Sequence, residues 1–187
     1  MDSSKLQVKF YLNDNAKVKL ADVAPVFHSW IQTHAMAEHM LIDVADYTHV
    51  PDGPGMLLVS DEANIYLDQF DGRLGLTYSR KRPIEGTLAE RLKTVIRYAT
   101  QACALLEASP ILDGAKFKTN EATFKINDRL AATNTAATFA KVRPELEKAA
   151  QTIFGAGVTL EHKGNEKQLF EVGIKSANAP TLAALAR

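Results

Sequence analysis

The stretch MLIDVADYTHVPDGPGMLLVSDEANIYLDQFDGRLGLTYSR, residues 40–80, decides the fold class. It holds four short runs with strand character: Met40 to Thr48, Met56 to Val59, Asn64 to Phe70 and Leu74 to Arg80. The gaps between them are shorter than the dozen or so residues a parallel crossover needs, so neighbouring runs are expected to pair antiparallel. Asp71-Gly72 predicts a two-residue hairpin between the last two. Successive strands without a helix between them break the alternation that a doubly wound α/β fold requires.

Upstream, Leu6, Val8, Phe10 and Leu12 share one side of a strand ending at Asn13-Asp14-Asn15. Asp22 can cap a helix from Val23 to about His34, with Pro25 in its first turn and Val23, Phe27, Trp30 and Ile31 on its apolar stripe. Downstream, Thr87 and Glu90 form a capping box, and Leu88, Leu92, Val95, Ala99, Cys103 and Leu106 line one face of the helix that follows. Ser109-Pro110 stops it. The last third predicts a strand from Ala122 to Asn127, with a short one near Lys116 to Lys118. Next come a helix from Thr135 to Val142 capped by Asn134 and a second helix from Pro144 to Phe154 with Gly155 as its C-cap. A hairpin across Gly164-Asn165 then joins Val158–Lys163 to Gln168–Lys175. The expectation is an α+β fold: an antiparallel or mixed sheet with helices packed mainly on one face. One compact domain over residues 1–187 is expected, with two similar α+β halves, 1–110 and 111–187, as the alternative subdivision.

Composition narrows the function classes. Twenty-two Lys and Arg balance twenty-two Asp and Glu, so no overall field draws nucleic acid or an anionic membrane. No apolar run approaches the roughly 20 residues of a membrane helix, and Met1-Asp-Ser-Ser-Lys lacks the basic flank of a secretory signal. The single cysteine, Cys103, rules out an intrachain disulfide and fits a reducing compartment, so the cytoplasm is the default location. Lying on the buried stripe of its helix, Cys103 reads as inert core. Gly-x-Ser-x-Gly, His-Glu-x-x-His and Cys-x-x-Cys are all missing, and no cofactor motif is present.

Candidate site residues come from polar groups at strand ends and loops. Asp46 with His49 is the candidate acid/base pair, beside the stiff Pro51-Asp-Gly-Pro-Gly55 loop. Both faces of the Met40 to Thr48 strand are partly apolar, as expected of an inner strand, so a carboxylate there needs a partner; the plainer reading has Asp46 accepting backbone N–H groups of the following turn. Tyr66, Asp68 and Phe70 share one face of a strand and can orient a ligand, with Asp52 on the neighbouring loop. Arg73 and Arg80, with Lys81 and Arg82, are the cations that would hold an anion, and Asn134 can offer donors at a helix start. The phrases HVPDGPG and INDRLAATNT match no catalytic or cofactor motif.

Three functions follow as expectations. The leading one is a noncatalytic module that binds a small molecule or a protein partner, or assembles with itself. The second is an enzyme acting on a small anionic substrate through Asp46 and His49. The third is a metal site built from His34, His39, His49 and a carboxylate, although the histidine spacing sets no ligand geometry.

Overall fold

The computed structural model of the chain describes residues 5–14 and 16–187. Met1–Ser4 and Asn15, on which the reading of the chain's start and of the first turn partly rests, lie outside them. Alternation governs the sheet. Leu6, Val8, Phe10 and Leu12 of β1 (Leu6–Leu12) are buried on one face, while Gln7, Lys9 and Tyr11 point to the other. The other strands are β2 (Leu41–Tyr47), β3 (Gly55–Ser60), β4 (Ala63–Asp68), β5 (Gly75–Arg80), β6 (Phe117–Ile126), β7 (Val158–Lys163) and β8 (Phe170–Ser176), and the two-residue period of burial is clear in β3 and β4 as well. All neighbours are antiparallel, and the eight strands form one sheet in the order β2-β3-β4-β5-β1-β6-β8-β7.

The apolar face packs against helices. α1 (Ala24–Thr33) buries Phe27 and Trp30, and α2 (Leu88–Glu107) lies along β1 and β5. The Thr87/Glu90 capping box forms as predicted: each residue satisfies the other's backbone N–H at the start of α2. Every residue of the predicted stripe, Leu88 through Leu106, is buried, and burial holds the Cys103 thiol far above its ordinary pKa. α3 (Ala136–Phe154) contacts α2 and β7, and a short α4 (Leu182–Leu185) closes against α2.

The order also shows a repeated path. β1 leads through α1 into a meander whose last strand, β5, returns to pair with β1; β6 leads through α3 into a hairpin whose last strand, β8, returns to pair with β6. The β1–β6 pair joins the two paths into one sheet.

Five sequence expectations need correction. Asp22 lies within a short 3-10 turn, Leu20–Val23, and α1 begins after Val23 with no side-chain cap. The two predicted helices around Pro144 are one helix capped by Thr135, whose hydroxyl accepts the Thr138 N–H. The buried stripe Val142, Leu146, Ala149, Ala150 and Phe154 crosses the proline, and this burial outweighs the hydrogen bond that Pro144 cannot make. The strand near Lys116 and the one from Ala122 are a single β6, bent where its register with β1 shifts. Asp71-Gly72 sits inside a longer loop closed by Gly72 N–H to the Gln69 carbonyl, because the Asp71 carboxylate is held by β1. Finally, β2 is the outermost strand of the sheet rather than an inner one.

Candidate functional site

Directly paired residues of antiparallel strands point to the same face. The register therefore lays Leu57, Tyr66, Thr77, Lys9 and Thr123 in one row across the side of the sheet that α2 does not cover. The adjacent row carries Asn64, Ser79, Gln7 and Lys125. Both rows floor a cavity of about 370 Å³. Its rim comes from Asp52, Gly53 and Pro54 on the β2–β3 loop, from Phe70 after β4, and from Asn127 and Leu169 on the far side.

At one end of this floor sits a buried ion cluster. The Lys9 ammonium donates to Asp68 Oδ1 at 2.7 Å, Asp71 Oδ1 at 2.6 Å and the Arg73 carbonyl at 2.8 Å, which uses all three of its hydrogens. Asp68 also accepts from the Thr77 hydroxyl (2.7 Å) and the Phe70 N–H (3.0 Å). Asp71 Oδ2 accepts from the Tyr11 hydroxyl at 2.8 Å; Tyr11 has then given its one proton, so Thr123 donates to it across 2.6 Å. Although burial works to raise the Asp71 pKa, the bonds from Lys9 and Tyr11 outweigh it and hold that carboxyl low. Burial, partly offset by Thr123 and reinforced by Asp71, pushes the Tyr11 phenol well above its ordinary value. Gly75 makes room for the arrangement: a Cβ there would stand 2.7 Å from Lys9 Cε and 2.5 Å from the Phe10 carbonyl oxygen. One ammonium thus serves two carboxylates with every one of its hydrogens used, and the cluster offers no free acid to a substrate.

The other end is different in kind. Gln7 Nε2 donates to the Tyr66 hydroxyl at 2.5 Å, and burial pushes the Tyr66 pKa up to about 12. Lys125 is paired with Glu171 at 2.9 Å and lies 5.7 Å from the centre of the Phe70 ring. Asn64 Oδ1 is buried and accepts no hydrogen bond. Leu57, Pro54, Phe70 and Leu169 provide apolar walls.

Of the residues singled out from sequence, Asp52, Tyr66 and Asp68 meet at this cavity. Arg73 does not line it; its guanidinium stacks on Tyr11 at 3.7 Å and pairs with Glu121. Arg80 is at the opposite end of β5, where it donates to the Arg82 carbonyl and the Tyr78 hydroxyl. Asn134 is buried beside β7, donating to the Lys163 carbonyl and bonded to His162. Asp46 is exposed and accepts from the Thr48 N–H and hydroxyl, bonds that lower its pKa; His49 is exposed too, and neither lines the cavity. Sequence reading missed Gln7, Lys9, Tyr11 and Thr123. The available signal was a lysine and a tyrosine sharing the second face of a strand whose first face is wholly apolar.

Histidines 28, 34 and 49 are exposed, whereas His39 is buried. No three His, Cys, Asp or Glu side chains among the described residues are grouped to hold a metal ion. His39 has another environment. Its Nε2 lies 2.8 Å from the Tyr78 hydroxyl, and its ring stands edge-on to Tyr78 and Tyr98. Arg80 donates to the same hydroxyl, and the other ring nitrogen, Nδ1, is buried with no hydrogen-bond partner. Burial lowers the His39 pKa; Glu62 and Glu38 oppose the shift, while Arg80 and Arg97 add to it. The unfolded chain then binds more protons than the folded one below about pH 6.5, and stability falls as pH drops through that range. In thermal melts from pH 7.5 to 5, His39→Gln should lose less stability than the wild type. Equal losses would remove His39 from the acid response.

Among the described residues, no helix is long and apolar enough to cross a membrane. No family model matches the chain, and a comparison with curated proteins finds no match.

Proposed function

We propose that the chain is a noncatalytic binding module, and that its cavity takes a small uncharged molecule with an apolar body and a hydrogen-bond donor. Asn64 lines the cavity beside its apolar walls, and its Oδ1, covered and without a donor, would meet a ligand donor by a turn of the side chain; this unanswered acceptor carries the reading. A buried acceptor without a donor costs on the order of 1–3 kcal/mol, which a ligand O–H or N–H would recover. The cavity volume falls in the range of small-molecule pockets. Both lysines in the lining already hold carboxylates, which argues against an anion. The saturated Lys9 cluster and the high Tyr66 pKa argue against acid/base chemistry at neutral pH.

Phenol, indole and benzoate serve as probes, followed by backbone amide shifts. Phenol or indole should shift Leu57, Asn64, Tyr66 and Leu169 together, and should bind more tightly than benzoate. Leu57→Trp, which fills the cavity, should abolish these shifts, and Asn64→Leu should weaken phenol about tenfold, equivalent to about 1.4 kcal/mol. Tighter binding of benzoate, or shifts unaffected by Leu57→Trp, would overturn the reading.

A further inference from the structure

The outer edge of β2 has an unusual composition. Residues 20–72 contain nine carboxylates and not one Lys or Arg. Exposed sheet edges are commonly guarded by lysine, and this one has none. It is also apolar: Met40, Ile42, Tyr47 and Val50 are 62%, 55%, 41% and 40% exposed, and they make up most of the large hydrophobic side chains exposed among the described residues.

The carboxylates of this segment divide into two groups. Glu38 pairs with Arg97, Asp61 with Arg82, and Asp68 and Asp71 with Lys9. Asp22, Asp43, Asp46, Asp52 and Glu62 form no ion pair with Lys or Arg among the described residues, and of these Asp43 and Asp46 lie on β2 itself. Asp43 accepts only the adjacent Val44 N–H, and Asp46 only Thr48. An incoming strand can replace such short-range bonds. The opposite edge, β7, differs: it carries Glu161 and Lys163, and Asn134 takes the Lys163 carbonyl.

We propose that β2 is a docking edge for an extended basic peptide, which adds to the sheet as a further strand. Backbone hydrogen bonds would supply affinity, Ile42 and Tyr47 would cover apolar side chains, and Asp43 and Asp46 would select cations. Pairing sets the spacing. Asp43 lies opposite Val59 on the cavity side, and Asp46 opposite Met56 on the helix side, so the matching peptide carries basic residues three apart. A second copy fits poorly, since two β2 edges side by side would bring four carboxylates together with no cation between them. This site is independent of the cavity and of what fills it.

The probe is a short, fluorescently labelled peptide of alternating Val and Thr with two Lys three positions apart; a Glu version is the control. By anisotropy, the Lys peptide should bind the wild type, and binding should weaken at least tenfold between about 50 and 300 mM salt. Amide exchange should slow along residues 42–47. Asp43→Lys with Asp46→Lys changes two exposed side chains, so the variant should keep the wild-type melting temperature while preferring the Glu peptide. No binding at millimolar peptide, or equal binding of both peptides by the wild type, would overturn the proposal. So would a wild-type dimer that the double variant dissociates, because the edge would then belong to a second copy.

Discussion

Lys9→Ala should destabilise the protein by about 3–5 kcal/mol, the usual cost of stripping one partner from a buried ion cluster. Two carboxylates depend on this ammonium, and the Lys9 and Asp68 side chains are only 6% and 4% exposed. Without the cation, Asp68 would keep the Thr77 hydroxyl and the Phe70 N–H, but nothing would balance its charge. Asp71, a quarter exposed, would relax toward water and release Tyr11. Urea denaturation read by tryptophan fluorescence gives the loss directly. The triple variant Lys9→Met, Asp68→Asn, Asp71→Asn removes charge of both signs while keeping hydrogen-bond acceptors, and should recover more than half of it. A Lys9→Ala loss below 1 kcal/mol would show that water reaches the cluster freely.

Gly55→Ala should cost about 3 kcal/mol or more, combining left-handed backbone strain with overpacking. Gly55 has φ 63°, and an added Cβ would overlap the Leu67 carbonyl oxygen of β4 while standing 3.3 Å from the Asp68 Cα. Neither neighbour is a side-chain tip that can rotate away. The overlap would force β3 from β4 at the corner where the β2–β3 loop meets the cavity floor. Gly72→Ala is the control: its φ is 77°, yet nothing lies within 4 Å of the new carbon, so only the conformational part, about 1–2 kcal/mol, should appear. Similar losses for the two variants would remove the steric contribution at Gly55.

Local order was legible in the sequence because local physics decides it. The alternation of Leu6, Val8, Phe10 and Leu12, the Thr87/Glu90 box and the turn at Gly164 each act within a few residues, and each appears where expected. Tyr66 and Asp68 were placed on the correct face for the same reason. Neighbour relations were not legible. Nothing near Lys9 says that Asp68 and Asp71 will lie beside it, because that depends on β5 returning to β1 across the whole meander. Equally, Asp46 looked internal by alternation alone; only the strand order shows it to be on the margin, bonded to its own turn. Arg73 and Arg80 look like one basic cluster in sequence, but the length of β5 holds them apart. The absence of Lys and Arg from residues 20–72 was open to simple counting, and a zero net charge hid it.

The position of β1 has a consequence for synthesis. β1, made before the other seven strands of this sheet, sits in its interior, and both strands that flank it, β5 and β6, come much later in the chain. At common elongation rates the ribosome needs on the order of ten seconds to reach β5. For that time Leu6, Val8, Phe10 and Leu12 have no strand to lie against, which makes this segment the natural one for a chaperone to hold until the meander arrives.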